Sequence, residues 1–143
     1  MPEGDVTVTA DVLQTYSISL PTDMKIIGSS IAADGNGTYM TGTKVEFKPS
    51  FPYSASNVSD GVNTLTATDG VYSVVVDGSD ITITADVQRD EIIDLTRAPG
   101  AFAAINGDVL SGSTSYTVHI ADGATITLSG AIINGGIVCD GSA

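Results

Sequence analysis

Apolar and polar residues alternate with a period of two over long parts of this chain. In DVTVTADV, Val6, Val8, Ala10 and Val12 alternate with Asp5, Thr7, Thr9 and Asp11. In DITITADV, Ile81, Ile83, Ala85 and Val87 alternate with Asp80, Thr82, Thr84 and Asp86. Alternation of this kind sends successive side chains to opposite faces of a strand, one face buried and one wet. Thr, Val and Ile also favour a pleated backbone. The same pattern predicts strands at 15–20, 44–48, 63–67, 71–76, 116–120 and 124–128.

Asp-Gly and Asn-Gly pairs punctuate these runs at 34–35, 36–37, 60–61, 69–70, 77–78, 106–107, 122–123, 134–135 and 140–141. Both pairs take positive φ at low cost, as hairpin turns require. The one stretch that leans towards helix, RDEIIDLTRAPGAFAAI, is broken by Pro99-Gly100 and is read as a strand followed by a crossing. Many short strands between turns imply an all-β chain. The expected architecture is a small β-sandwich or β-grasp-like repeat domain followed by a second β module, β-helix-like or sandwich.

The two alternating words lie 75 residues apart, and the correspondence continues from Ile18 and Leu20 to Ile93 and Leu95. A unit of this length is a small domain in an array and not one coil of a solenoid. The repeat divides the chain into the terminal strand of a preceding repeat (1–12), a β repeat domain (13–87) and a second, incomplete β module (88–143). It also predicts that residues 5–12 form a strand with Val6, Val8 and Ala10 facing inward.

Within 13–87, Gly42-Thr43-Lys44-Val45 opens a strand, FPY (51–53) forms an aromatic turn, and Asn57-Val58, Asp69-Gly70-Val71-Tyr72 and Asp80 to Ala85 follow in order. This cadence resembles the divergent internalin-type B-repeat modules of bacterial surface proteins. The chain departs from many such repeats in having no tryptophan. Met1-Pro2-Glu3-Gly4-Asp5 resembles the Met-Pro lead-in to the last strand of such a repeat. The tail, SGSTSYTVHIADGATITLSGAIINGGIVCDGSA, resembles the opening of right-handed parallel β-helix domains of bacterial surface and carbohydrate-binding proteins. That resemblance implies inward-pointing Val118, Ile120, Ile126, Leu128, Ile132, Ile133, Ile137 and Val138. The end of a second sandwich is the competing arrangement.

Charge narrows the partners. Five Lys and Arg stand against 17 Asp and Glu, a formal net charge of −12. Such a surface repels phosphate backbones and anionic headgroups, which argues against nucleic-acid and membrane-surface binding. No apolar run of about 18 residues is present to span a bilayer, and MPEGD lacks the basic and apolar regions of a secretory leader. The lone Cys139 cannot form an internal disulfide and is expected as a small buried apolar residue.

Candidate chemistry is sparse. His119 is the only histidine, so neither a zinc ligand set nor a partnered base is visible, and no catalytic residue is assigned. Asp34, Asn36, Asp77 and Asp80 are candidate calcium ligands, because turn carboxylates and carbonyls supply hard oxygens. None of them completes a calcium-loop motif, and turn chemistry accounts for each. No other cofactor is implied. Phe51, Tyr53 and Tyr39 are candidate carbohydrate-binding rings, although such aromatics commonly plug a small β core. Lys44 and Lys48 flank Glu46 on one strand face, a charged face of the kind that guards sheet edges.

These features lead to the expectation of a non-enzymatic extracellular or cell-surface module of a bacterial protein. It would act as an adhesion or spacer repeat, with neighbouring repeats, and a host or polysaccharide ligand, as partners. The alternatives are a carbohydrate-binding module and a non-catalytic fragment of a polysaccharide-active β-helix enzyme or a viral fibre protein.

Overall fold

Strands form on the expected runs at 44–48, 71–76 and 81–87. The structure, a computed structural model, describes residues 4–7 and 14–141. It is all-β and built of small sheets: among the described residues the only helical element is one 3-10 turn, Leu95–Arg97.

The first nine strands are β1 (Thr15–Tyr16), β2 (Ile18–Ser19), β3 (Met24–Ser29), β4 (Tyr39–Met40), β5 (Lys44–Pro49), β6 (Tyr53–Ser59), β7 (Tyr72–Val75), β8 (Ile81–Thr82) and β9 (Thr84–Arg89). The antiparallel sheet β3-β5-β7 and the antiparallel pair β6-β9 form its main ladders. The short pairs β1-β4, antiparallel, and β2-β8, parallel, complete it. Val45 and Phe47 of β5 are fully buried while Lys44 and Lys48 are exposed, as the period of two requires. They join Met24, Tyr39, Val58, Val74, Val76, Ile81 and Ile83 in one apolar cluster. Each buried Val, Ile or Phe contributes on the order of 1.5–3 kcal/mol by leaving water. Phe47 stacks on Tyr72 with ring centroids 5.8 Å apart.

The remaining strands are β10 (Ile93–Asp94), β11 (Phe102–Ala104), β12 (Val109–Ser111), β13 (Ser113–Thr114), β14 (Val118–Ala121), β15 (Thr127–Leu128), β16 (Ile132–Ile133) and β17 (Ile137–Asp140). Every pairing among them is parallel: β10-β12-β15, β11-β14-β17 and β13-β16. Ile93, Leu110 and Leu128 fall in one ladder, and Phe102, Val118 and Ile137 in another. The chain therefore coils, each turn bonding to the one before it. A second cluster of Ile93, Leu95, Phe102, Ala104, Leu110 and Val118 fills the coil.

Several expectations are corrected here. Residues 4–7 carry no strand and Val6 is 87% exposed, so Val6 does not face inward. The second copy of the word is held by partner strands β2 and β6. Alternation supplies a face, but only a partner supplies hydrogen bonds. Val8 and Ala10 lie outside the described residues. Residues 63–67 contribute only an isolated bridge, Thr64 to Ser59. The Gly pairs at 106–107, 122–123 and 134–135 turn between parallel strands and are corners, not hairpins. By contrast, Asp69-Gly70 is a tight reversal: both residues have positive φ, and Thr68 and Val71 exchange backbone hydrogen bonds.

Of the eight residues expected inside the tail, Val118 is fully buried and Ile120, Ile126 and Ile133 pack on the second cluster. Leu128, Ile132, Ile137 and Val138 are exposed. Leu128 and Ile137 align with buried Leu110 and Val118 but lie on the outermost strands β15 and β17. Ile132 and Val138 alternate with Ile133 and Ile137 and fall on the opposite face. Cys139, on β17, is likewise exposed and not buried.

Candidate functional site

The residues singled out for metal and sugar chemistry are engaged locally. Asp34 closes its own loop: its carboxylate accepts the backbone N–H groups of Asn36 and Thr38, both at 2.9 Å, and the Thr38 and Thr15 hydroxyls. The Thr38 N–H and hydroxyl, with the Asn36 N–H and Thr15 hydroxyl, hold this carboxyl below the usual carboxylate range against a small effect of burial. Asn36 is exposed. Asp80 accepts the Ser17 N–H at 2.9 Å, and Asp77 accepts the Ser79 hydroxyl at 3.5 Å. Among the described residues no three His, Cys, Asp or Glu side chains converge as metal ligands would.

The three candidate rings take different positions. Tyr39 is 7% exposed inside the first cluster. Phe51 is half-buried and meets Phe102 edge-to-face at 5.3 Å. Tyr53 is half-buried beneath the guanidinium of Arg89, 5.9 Å from its ring centroid. His119 Nδ1 stands 3.4 Å from the Asp140 carboxylate.

Tyr53 and Phe102 flank a bidentate ion pair, and Phe51 packs on Phe102. Arg89 ends β9 opposite Tyr53 of β6. Its guanidinium reaches across to Asp108, in the corner before β12, donating from Nε at 2.9 Å and Nη2 at 2.6 Å. The Asp108 carboxylate also accepts the Ile105 N–H at 2.8 Å. Arg89 lies 5.6 Å from the Phe102 centroid as well, so its guanidinium faces both the Tyr53 ring and a ring of the second cluster. Burial pushes the Asp108 carboxyl up. The Arg89 hydrogen bonds, the Ile105 N–H and the Arg89 charge outweigh that and hold it below the usual range.

A second, weaker link lies nearby. Arg97, in the 3-10 turn, stands 3.4 Å from Asp90, which also accepts the Ser54 hydroxyl. The Asp90 N–H donates to the Pro52 carbonyl at 2.9 Å. The FPY segment is thus tied on both sides to the start of the coil. This arrangement is a bidentate, ring-lined clamp, suited to fixing two β units against each other.

Sequence reading missed Arg89, Asp108 and Phe102. One signal was present: Arg89 continues the inward series Ile83, Ala85, Val87 by two residues. A cation at an inward position needs a buried partner. Comparison of the chain with known family models, curated proteins and solved structures finds no match.

Proposed function

We propose that this chain is a non-enzymatic module of a bacterial extracellular or cell-surface protein, acting as a spacer or adhesion repeat. In this reading the strands of 15–89 form an internalin-type B-repeat unit, and the parallel coil of 93–140 is the start of a β-helix. The observation that carries the proposal is the Arg89–Asp108 clamp, with Phe51 and Phe102 packed beside it. A spacer works by passing a fixed orientation from one unit to the next, and a half-buried bidentate pair between rings is a means of doing so. Supporting it, Asp60 and Asp94 are engaged by N–H groups and hydroxyls of their own turns, and Asp34 by those of its own loop and the Thr15 hydroxyl.

Residual dipolar couplings from 24–89 and 93–140 test the reading. One alignment tensor should fit both sets in the native chain, and Arg89→Ala should require two. Independent tensors in the native chain would remove the spacer mechanism. Turnover of any polysaccharide by the chain would overturn the non-enzymatic part.

A further inference from the structure

Three of the chain's five cations line a single hollow on a molecule of net charge −12. The hollow has a volume of about 430 Å³, within the range of small-ligand clefts. Lys25, Lys48 and Arg97 supply the charge, Phe51 and Pro99 supply apolar wall, and Asp69 stands at the hairpin turn. Lys25 and Lys48 are direct cross-strand partners of β3 and β5. Like charges placed opposite each other destabilise a sheet. Among the described residues neither lysine has an acidic partner within ion-pair distance, whereas Lys44, on the same face, is paired with Glu46 at 3.4 Å. Arg97 is paired with Asp90 at 3.4 Å, but the two opposed lysines are left without a counter-charge, and an acidic chain that leaves them so keeps charge for an incoming anion.

The lining narrows the class of anion. Three cations alone would suit any polyanion, but Asp69 opposes dense negative charge and can accept hydrogen bonds from neutral hydroxyls. The half-buried Phe51 ring and the prolines offer a surface to C–H groups. A ligand with one acidic group, several hydroxyls and an apolar face meets all three conditions. We propose that the hollow between β3, β5, the Asp69 turn and the 3-10 turn binds an acidic sugar residue, a hexuronate or its sulfated equivalent, with Lys25 and Lys48 as the principal anion contacts. The hollow shares Phe51 and Arg97 with the surroundings of the clamp, but its anion contacts, Lys25 and Lys48, take no part in the clamp and do not depend on the spacer reading.

Digalacturonate titrated into the ¹⁵N-labelled chain provides the test. Amide shifts should move at Lys25, Lys48 and Gly70 and weaken as salt rises from about 20 to about 200 mM. Lys48→Gln should weaken binding about tenfold, while Lys44→Gln should leave it unchanged. Both substitutions are at exposed positions, and the spectrum itself reports that each variant is folded. Absence of shifts, or a Lys48→Gln variant that binds normally, would overturn the site. Equal shifts with cellobiose would overturn charge recognition. Equal shifts with sodium sulfate or triglutamate would overturn the sugar assignment.

Discussion

The guanidinium of Arg89 holds both carboxylate oxygens of Asp108, 2.9 Å from Nε and 2.6 Å from Nη2, and so joins the last antiparallel strand to the corner between β11 and β12. Asp108 is 6% exposed, so removing its partner leaves a buried charge with only the Ile105 N–H. Arg89→Ala should therefore cost about 3 kcal/mol in urea unfolding. Arg97→Ala should cost under about 1 kcal/mol, because Arg97 is largely exposed and its contact with Asp90 is long. Equal losses in the two variants would show that the clamp is not the principal link.

The same pair sets an acid dependence. The Asp108 carboxyl is held below its ordinary value, and such a group stabilises the fold above the unfolded pKa, near 4. That contribution is lost as pH falls through the lower folded value. Asp108→Asn keeps an acceptor for Ile105 but leaves Arg89 without a counter-charge. Its stability deficit should be full at about pH 7, begin to shrink below about pH 4 and narrow further towards about pH 2. Urea midpoints measured across that range check the sign: a deficit that grows in acid contradicts the clamp.

A third prediction concerns a defect in the first cluster. Thr43 is fully buried, and among the described residues its hydroxyl has no hydrogen-bond partner. Its backbone is well used, since the Thr43 carbonyl accepts from Val76 and its N–H donates to Met40. Valine keeps the shape and removes the orphaned hydroxyl. Thr43→Val should thus stabilise the chain by about 1 kcal/mol in thermal or urea unfolding. A loss of stability would mean that the hydroxyl is satisfied in solution.

How much of this was legible varies with strand length and with register. The runs at 44–48 and 81–87 alternate, the run at 71–76 is rich in β-branched and aromatic residues, and β5, β7, β8 and β9 form there. β3 and β6 were hidden. Each carries a register irregularity, between Ile26 and Gly28 and between Ser56 and Ser59, and such a shift erases a strict period of two. In the coil every described strand is two to four residues long, too short for periodicity to show. The Gly pairs marked the corners correctly but not their kind, because one dipeptide serves hairpins and coil corners alike. At the clamp, Arg89 stood in the inward series of β9, yet nothing near it in sequence pointed to Asp108, 19 residues away. The anionic-sugar hollow combines β3, β5 and residues 97–99, and only folding brings Lys25 to Lys48.

Two glycines separate space from conformation. A Cβ on Gly135 would collide with the Ser115 carbonyl and the Tyr116 backbone in the preceding turn, where neither neighbour is a side chain that can swing away. A Cβ on Gly35 would meet nothing within 4 Å, and Gly35 is not among the positive-φ glycines. Gly135→Ala should destabilise the coil by about 1–3 kcal/mol. Gly35→Ala should be neutral or stabilise by up to about 1 kcal/mol through the unfolded chain. Matched effects at the two sites would show that successive turns do not approach closely at Gly135.

The opposed lysines yield a stability prediction independent of any ligand. Lys25 and Lys48 face each other across β3 and β5, and relief of a like-charge cross-strand pair is worth about 0.2–1 kcal/mol. Lys25→Glu converts repulsion into attraction, so its melting temperature should rise in low salt and the gain should shrink as salt is added. Lys44→Glu is the contrast, because it breaks the contact with Glu46 on the same strand face and should lower stability slightly. A Lys25→Glu variant that melts earlier than the native chain would mean that the two ammonium groups already avoid each other. The charge gathered at the hollow would then carry no stability cost.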